Sequence, residues 1–163
     1  MIWNSLLFIF PTLIMVAALC CYKKENKVMN SFYARMSFHD VARRLYVQLV
    51  MLLLILFQFI QIQTHISVID TFIPLIITAL LIRFSMAELV LYALKKRMIM
   101  VSVCSLVLVG LFIPHCFSMA VALGILLVAS IFYPSRRIRS MVESPDEIFS
   151  LTSIPGQLVA NYY

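Results

Sequence analysis

The sequence predicts an all-α fold, a polytopic membrane bundle of about five helices with its N-terminus outside and its C-terminus in the cytoplasm. Three observations lead there. Of the 163 residues, 63% are hydrophobic and 12% are charged, and mean hydropathy is +1.02; so little charge does not solvate a globular domain of this size. Apolar runs of bilayer-spanning length recur along the chain, separated by short polar stretches. Finally, when those runs are threaded in order, every one of the thirteen Lys and Arg except Arg83 falls on the same side. That is the asymmetry of the positive-inside rule.

Residues 2–21, IWNSLLFIFPTLIMVAALCC, form the first span. No Lys or Arg precedes it, so the charged n-region of a secretory signal is missing and the segment reads as a retained anchor. Lys23, Lys24 and Lys27 follow directly and assign its end to the cytoplasm. Pro11 is expected to kink it, because the ring removes a helix hydrogen bond. Residues 22–44 then read as a basic cytoplasmic loop lying at the lipid headgroups, with Phe32, Tyr33 and Phe38 among the cations. Within it Ser37-Phe38-His39-Asp40 has the S-x-x-D spacing of a capping box opening the next helix.

The second span, 45–63, carries Gln58 and Gln61 near its outer end, where amide side chains hydrogen-bond across helices. A short external turn with His65 and Asp70 follows. The third span, 71–94, is the stretch around which the rest is expected to be arranged. Thr71, Thr78, Ser85 and Tyr92 recur every seventh residue, with Glu88 beside them, and so form one polar stripe on a continuous helix. A stripe of this kind packs against protein rather than lipid. Arg83 lies inside the same run and either snorkels to the headgroups or pairs on another helix. A second form has the crossing end near residue 82, with the remainder lying along the cytoplasmic surface. Glu88 is expected near the interface beside Lys95 and Lys96.

Residues 98–133 are too long for one crossing, and Pro114-His115-Cys116 divides them into a hairpin of helices over 98–113 and 117–133. Ala120 and Gly124 have the small-x-x-x-small spacing that lets helices approach closely. Arg136, Arg137 and Arg139 close the membrane domain, residues 1–139. Residues 140–163, polar and proline-containing, read as a flexible cytoplasmic tail.

Chemistry-bearing motifs do not stand out. Cys20, Cys21, Cys104 and Cys116 show neither metal-ligand spacing nor a disulfide framework. No phosphate-cradling loop, zinc motif or nucleophile elbow occurs in the sequence, and there are three glycines from which to build one. The net charge of +6 sits beside hydrophobic runs, which points to headgroups rather than nucleic acid. No catalytic residue, cofactor or metal is expected. The reading is a non-enzymatic integral membrane protein whose partners are the bilayer and another membrane protein or a second copy of itself. The competing class is a subunit of a small oligomeric channel or carrier, with Gln58, Gln61, Thr78, Ser85 and Glu88 lining a wet path. A compact chain without N-x-[ST] sites and with minimal external loops is placed in a bacterial inner membrane.

Overall fold

A computed structural model describes residues 2–22, 26–64, 68–143 and 162. Among them the chain is an all-α bundle of eight helices and one 3-10 turn, with no strand. The helices are α1 (Ile2–Cys21), α2 (Lys27–Phe38), α3 (Asp40–Gln63), α4 (Val68–Ile82), α5 (Phe84–Leu94), α6 (Arg97–Phe112), α7 (Phe117–Ile131) and α8 (Arg136–Glu143). The turn, Pro114–Cys116, joins α6 to α7.

The organising element is α7, not the 71–94 stretch. It touches α1, α3, α4, α5 and α6. Its sequence explains this. Ser118, Ala120, Ala122, Ala129 and Ser130 are buried along it, and Gly124 lies among them. Short side chains bring five neighbours close enough for van der Waals packing to hold the bundle. The core they share includes Leu54, Phe57, Leu91, Ala122, Ile125, Leu126 and Tyr133. Outside this core the large apolar side chains of α1, α3, α4 and α6 are exposed, among them Leu13, Leu52, Leu75 and Leu108. A surface of this kind is compatible with hydrocarbon.

Among the described residues, three stretches are long and apolar enough to cross a membrane: 3–21, 40–63 and 117–142. The pair α4 and α5 would add a fourth, and α6, apolar over sixteen residues, is shorter.

The 71–94 stretch is not one helix. It breaks at Arg83, whose φ of −86° and ψ of 108° are extended, and α5 turns 119° away from α4. The break falls next to residue 82, where the second expected form ends the crossing. The heptad stripe is therefore divided: a period of seven keeps residues on one face only while the helix is unbroken. Thr78 belongs to the upper half and Ser85, Glu88 and Tyr92 to the lower. The side chains of Thr71 and Asp70, and all of His65, lie outside the described residues.

Within the basic segment 22–44, α2 occupies 27–38 and α3 begins at Asp40. Met29, Phe32, Tyr33 and Met36 follow i, i+3, i+4, i+7 spacing, and α2 buries that face. The capping box is absent. Ser37 Oγ donates back to the Tyr33 carbonyl at 2.8 Å, His39 is the residue that precedes α3, and Asp40 pairs with Arg43. A serine with an i−4 carbonyl in reach has its hydroxyl satisfied within its own helix and leaves none for the next.

Beyond residue 139, α8 continues to Glu143. It is opened by Ser135, whose Oγ accepts from the Ile138 N–H at 3.3 Å. Tyr162 is fully buried; the rest of the segment expected to be a flexible tail, residues 144–161 and 163, lies outside the described residues.

Candidate functional site

Three groups of residues stand apart from ordinary packing. The first is a pair of amide contacts near the end of α3. Gln58 Nε2 donates to Thr78 Oγ1 at 2.6 Å, and Thr78 Oγ1 donates to the Pro74 carbonyl at 2.8 Å. The Thr78 hydroxyl is thus donor and acceptor at once. One turn on, Ser118 Oγ donates to Gln61 Oε1. These contacts tie α3 to α4 and to α7.

The second group lies at the basic end of the bundle, where α2, α5, the α5–α6 turn and α8 gather. Arg139 Nη1 is 2.6 Å from Glu88 Oε1, and the Tyr133 hydroxyl donates to the same oxygen at 3.1 Å. Tyr92 stands edge-on to Tyr133 with ring centroids 5.3 Å apart, and Arg136 lies over the Tyr92 ring at 5.1 Å. Ser85, Glu88, Tyr92, Arg136 and Arg139 border an open cleft of about 440 Å³. Glu88 was expected beside Lys95 and Lys96; it is α8 that supplies its cation. Lys95 is used differently: its Nζ donates to the Tyr133 carbonyl at 2.8 Å and to the Tyr162 carbonyl at 2.9 Å. Burial pulls its ammonium down to about 8, because a partly desolvated cation gives up its proton more readily.

Arg83 lies exposed at the α4–α5 break, with no carboxylate partner among the described residues. Its carbonyl accepts from the Met86 and Ala87 N–H groups and so starts α5. Nearby, Arg44 lies over the Phe84 ring at 5.5 Å.

The third group is apolar. A groove of about 630 Å³ runs between α1, α6 and α7, walled by residues such as Phe8, Met15, Cys104, Leu108 and Val128, with Ala120 and Gly124 on the α7 side. Gly110 is the buried residue of α6. A Cβ on it would stand 3.0 Å from the Ala120 Cβ, whereas one on Gly124 would meet Val107 Cγ1 at 3.8 Å. Ala120 thus packs inside the hairpin while Gly124 remains next to the groove.

The sequence-level candidates therefore separate. Gln58 and Thr78 meet; Gln61 meets Ser118; Glu88 and Tyr92 join Tyr133 and α8; Ser85 is exposed at the cleft. Sequence reasoning missed Tyr133 and Tyr162 as members of the basic end, and missed that Arg139 pairs with Glu88 while Lys95 binds carbonyls. Tyr133 and Arg139 lay in a segment read as a helix end and its orientation signal, and nothing local distinguishes a cation that pairs from one that is solvated. No group of three or more His, Cys, Asp and Glu is placed to hold a metal among the described residues, and the four cysteines are free thiols.

Comparison of the chain with protein-family models, with characterised proteins and with solved structures finds no match.

Proposed function

We propose that this chain is a non-enzymatic integral membrane protein that works by binding a transmembrane helix of another membrane protein. The bundle spans the bilayer about five times through α1, α3, α4, α6 and α7, with α5 lying crosswise at the cytoplasmic face. This assignment is supported by the gathering of α2, Lys95 and α8 at one end, which keeps the basic residues together. Arg83, exposed at the break, then reaches the same headgroup layer. A bacterial inner membrane is the location this reading favours.

The observation that carries the proposal is the groove between α1, α6 and α7. Its walls are apolar and Gly124 opens its floor. A transmembrane partner gains from such a surface because close backbone approach, not hydrophobicity, drives helix association inside lipid. The experiment is site-specific photo-crosslinking in native membranes, with the probe at Leu108 in the groove and, as control, at exposed Leu52 on α3. A discrete protein adduct from Leu108 and none from Leu52 is expected. Lipid adducts alone at both positions would remove the proposal. A homo-oligomeric adduct would redirect it to the channel class, and flux through reconstituted vesicles, compared between the native chain and Glu88→Gln, would then decide.

A further inference from the structure

The basic end of the bundle contains a contact set more selective than packing requires. Tyr162 is completely buried. Its ring sits 4.6 Å from that of Tyr33 on α2, tilted by 51°. Its hydroxyl donates to the Phe132 carbonyl at 2.7 Å. Its own backbone carbonyl accepts from Lys95 Nζ at 2.9 Å, and the same ammonium lies 5.7 Å from the ring centroid. Three different features of one residue are thus met by three elements far apart in sequence: ring by α2, hydroxyl by the end of α7, main chain by the α5–α6 turn.

We propose that Tyr33, Lys95 and the Phe132 carbonyl form a tyrosine-binding pocket, and that Tyr162 occupies it as an intramolecular peptide ligand. The chemistry selects tyrosine over the other aromatics. Phe132 is the residue at which α7 ends, and carbonyls in the last turn of a helix lack an intrahelical donor. A phenylalanine in the pocket would bury that acceptor without a partner. An alanine would lose the ring as well. The Lys95 contact reads a main-chain carbonyl and therefore requires a peptide rather than a free phenol. Lys95 is held from its other side by the Tyr133 carbonyl, so the donor is in place whether or not a ligand is bound. This pocket does not touch the α1, α6 and α7 groove and stands or falls separately from the helix-binding proposal.

The test uses the full chain in nanodiscs and the fluorescently labelled hexapeptide Leu-Val-Ala-Asn-Tyr-Tyr, the sequence of residues 158–163. Fluorescence anisotropy is expected to show the peptide binding Tyr162→Ala at least tenfold more tightly than the native chain, whose pocket is filled. Replacing the peptide's first tyrosine by phenylalanine should weaken binding to Tyr162→Ala about fivefold, the loss of one net hydrogen bond. Equal affinity for the native chain and Tyr162→Ala, or no binding to a folded Tyr162→Ala, would overturn the proposal and leave Tyr162 as ordinary packing. Should Tyr162→Ala fail to fold, Tyr162→Phe replaces it: that chain keeps the ring, and the peptide should bind it about fivefold more tightly than the native chain. No difference between those two would overturn the proposal equally.

Discussion

Ser118 donates its hydroxyl proton to Gln61 Oε1, while the Nε2 of that same fully buried amide has no hydrogen-bond partner among the described residues. Half of the Gln61 amide is satisfied and half is not. An unmet buried donor costs on the order of 1–3 kcal/mol, comparable to what the met half gains. The contact is therefore better understood as fixing the register of α3 against α7 than as a source of net stability.

Replacing Gln61 by Leu and Ser118 by Ala together removes both groups and the orphan with them. The double variant is expected to unfold within about 1 kcal/mol of the native chain, or above it. Gln61→Leu by itself should cost little as well, because the freed Ser118 hydroxyl has its own helix carbonyls within reach. Thermal unfolding in detergent checks both, and a loss above about 3 kcal/mol in the double variant would show that the amide stabilises after all.

The two helical glycines of the α6–α7 hairpin should respond oppositely. Gly110→Leu drives a side chain into Ala120, whose Cβ is 3.0 Å from the position of the new one, and overpacking of this kind costs about 1–3 kcal/mol. Gly124→Leu places its Cβ in ordinary contact with Val107 Cγ1 at 3.8 Å, beside the groove, and should leave stability within about 1 kcal/mol. It fills the groove instead, so photo-crosslinking from Leu108 to a partner should fall at least severalfold. Unfolding midpoints and adduct yield, measured on the same preparations, separate the two effects.

For the ion pair at the basic end, side-chain exposures of 41% for Arg139 and 17% for Glu88 put it between a surface and a buried pair. A double-mutant cycle with Glu88→Gln and Arg139→Met should return a coupling of about 1 kcal/mol, falling in high salt. Glu88→Gln is expected to be the milder single change, since its amide oxygen still accepts from Tyr133. A coupling indistinguishable from zero in low salt would mean the two groups are solvated separately.

Lys95 adds a pH dependence of known sign. Its ammonium is shifted from 10.5 down to about 8, so between those values the unfolded chain holds a proton that the folded chain has released. Stability then rises with pH across that window, is fully present above 10.5, and is lost as pH falls toward 8. Lys95→Met should flatten this part of the profile. Unfolding midpoints of both chains at pH 7, 8, 9 and 10 supply the comparison; parallel profiles would refute the shift.

Much of the fold is legible in the sequence, because long apolar helices announce themselves by length and composition. Pro114-His115-Cys116 divides the last apolar run where the chain turns. What escapes is the hinge at Arg83. No proline or glycine marks it, and the helix that follows it is held by contacts from α3, α7 and α8 that are remote in sequence. The α2 helix was readable from the spacing of Met29, Phe32, Tyr33 and Met36, a signal hidden by the surrounding lysines and arginines. The candidate site was half legible. Gln58, Gln61, Thr78, Glu88 and Tyr92 are prominent as polar groups in apolar runs, but a polar residue does not name its partner. Tyr162 carried no signal at all: a tyrosine in a polar segment looks alike whether buried or solvated.

The meeting of Glu88 with Arg139 has a consequence for how the molecule is made. The two residues are 51 positions apart, and the carboxylate is synthesised first. At roughly 5–20 residues per second, the ribosome takes on the order of 3–10 s to produce the arginine that neutralises it. On the proposed topology, α5 holds in that interval an uncompensated anion, a poor guest for the bilayer interior, and waits at the aqueous boundary. The crosswise helix is then expected to dock late, after α7 has been delivered and α8 has followed it out of the ribosome. In biogenesis the last arginine acts as the clasp that closes an assembly begun 51 residues earlier.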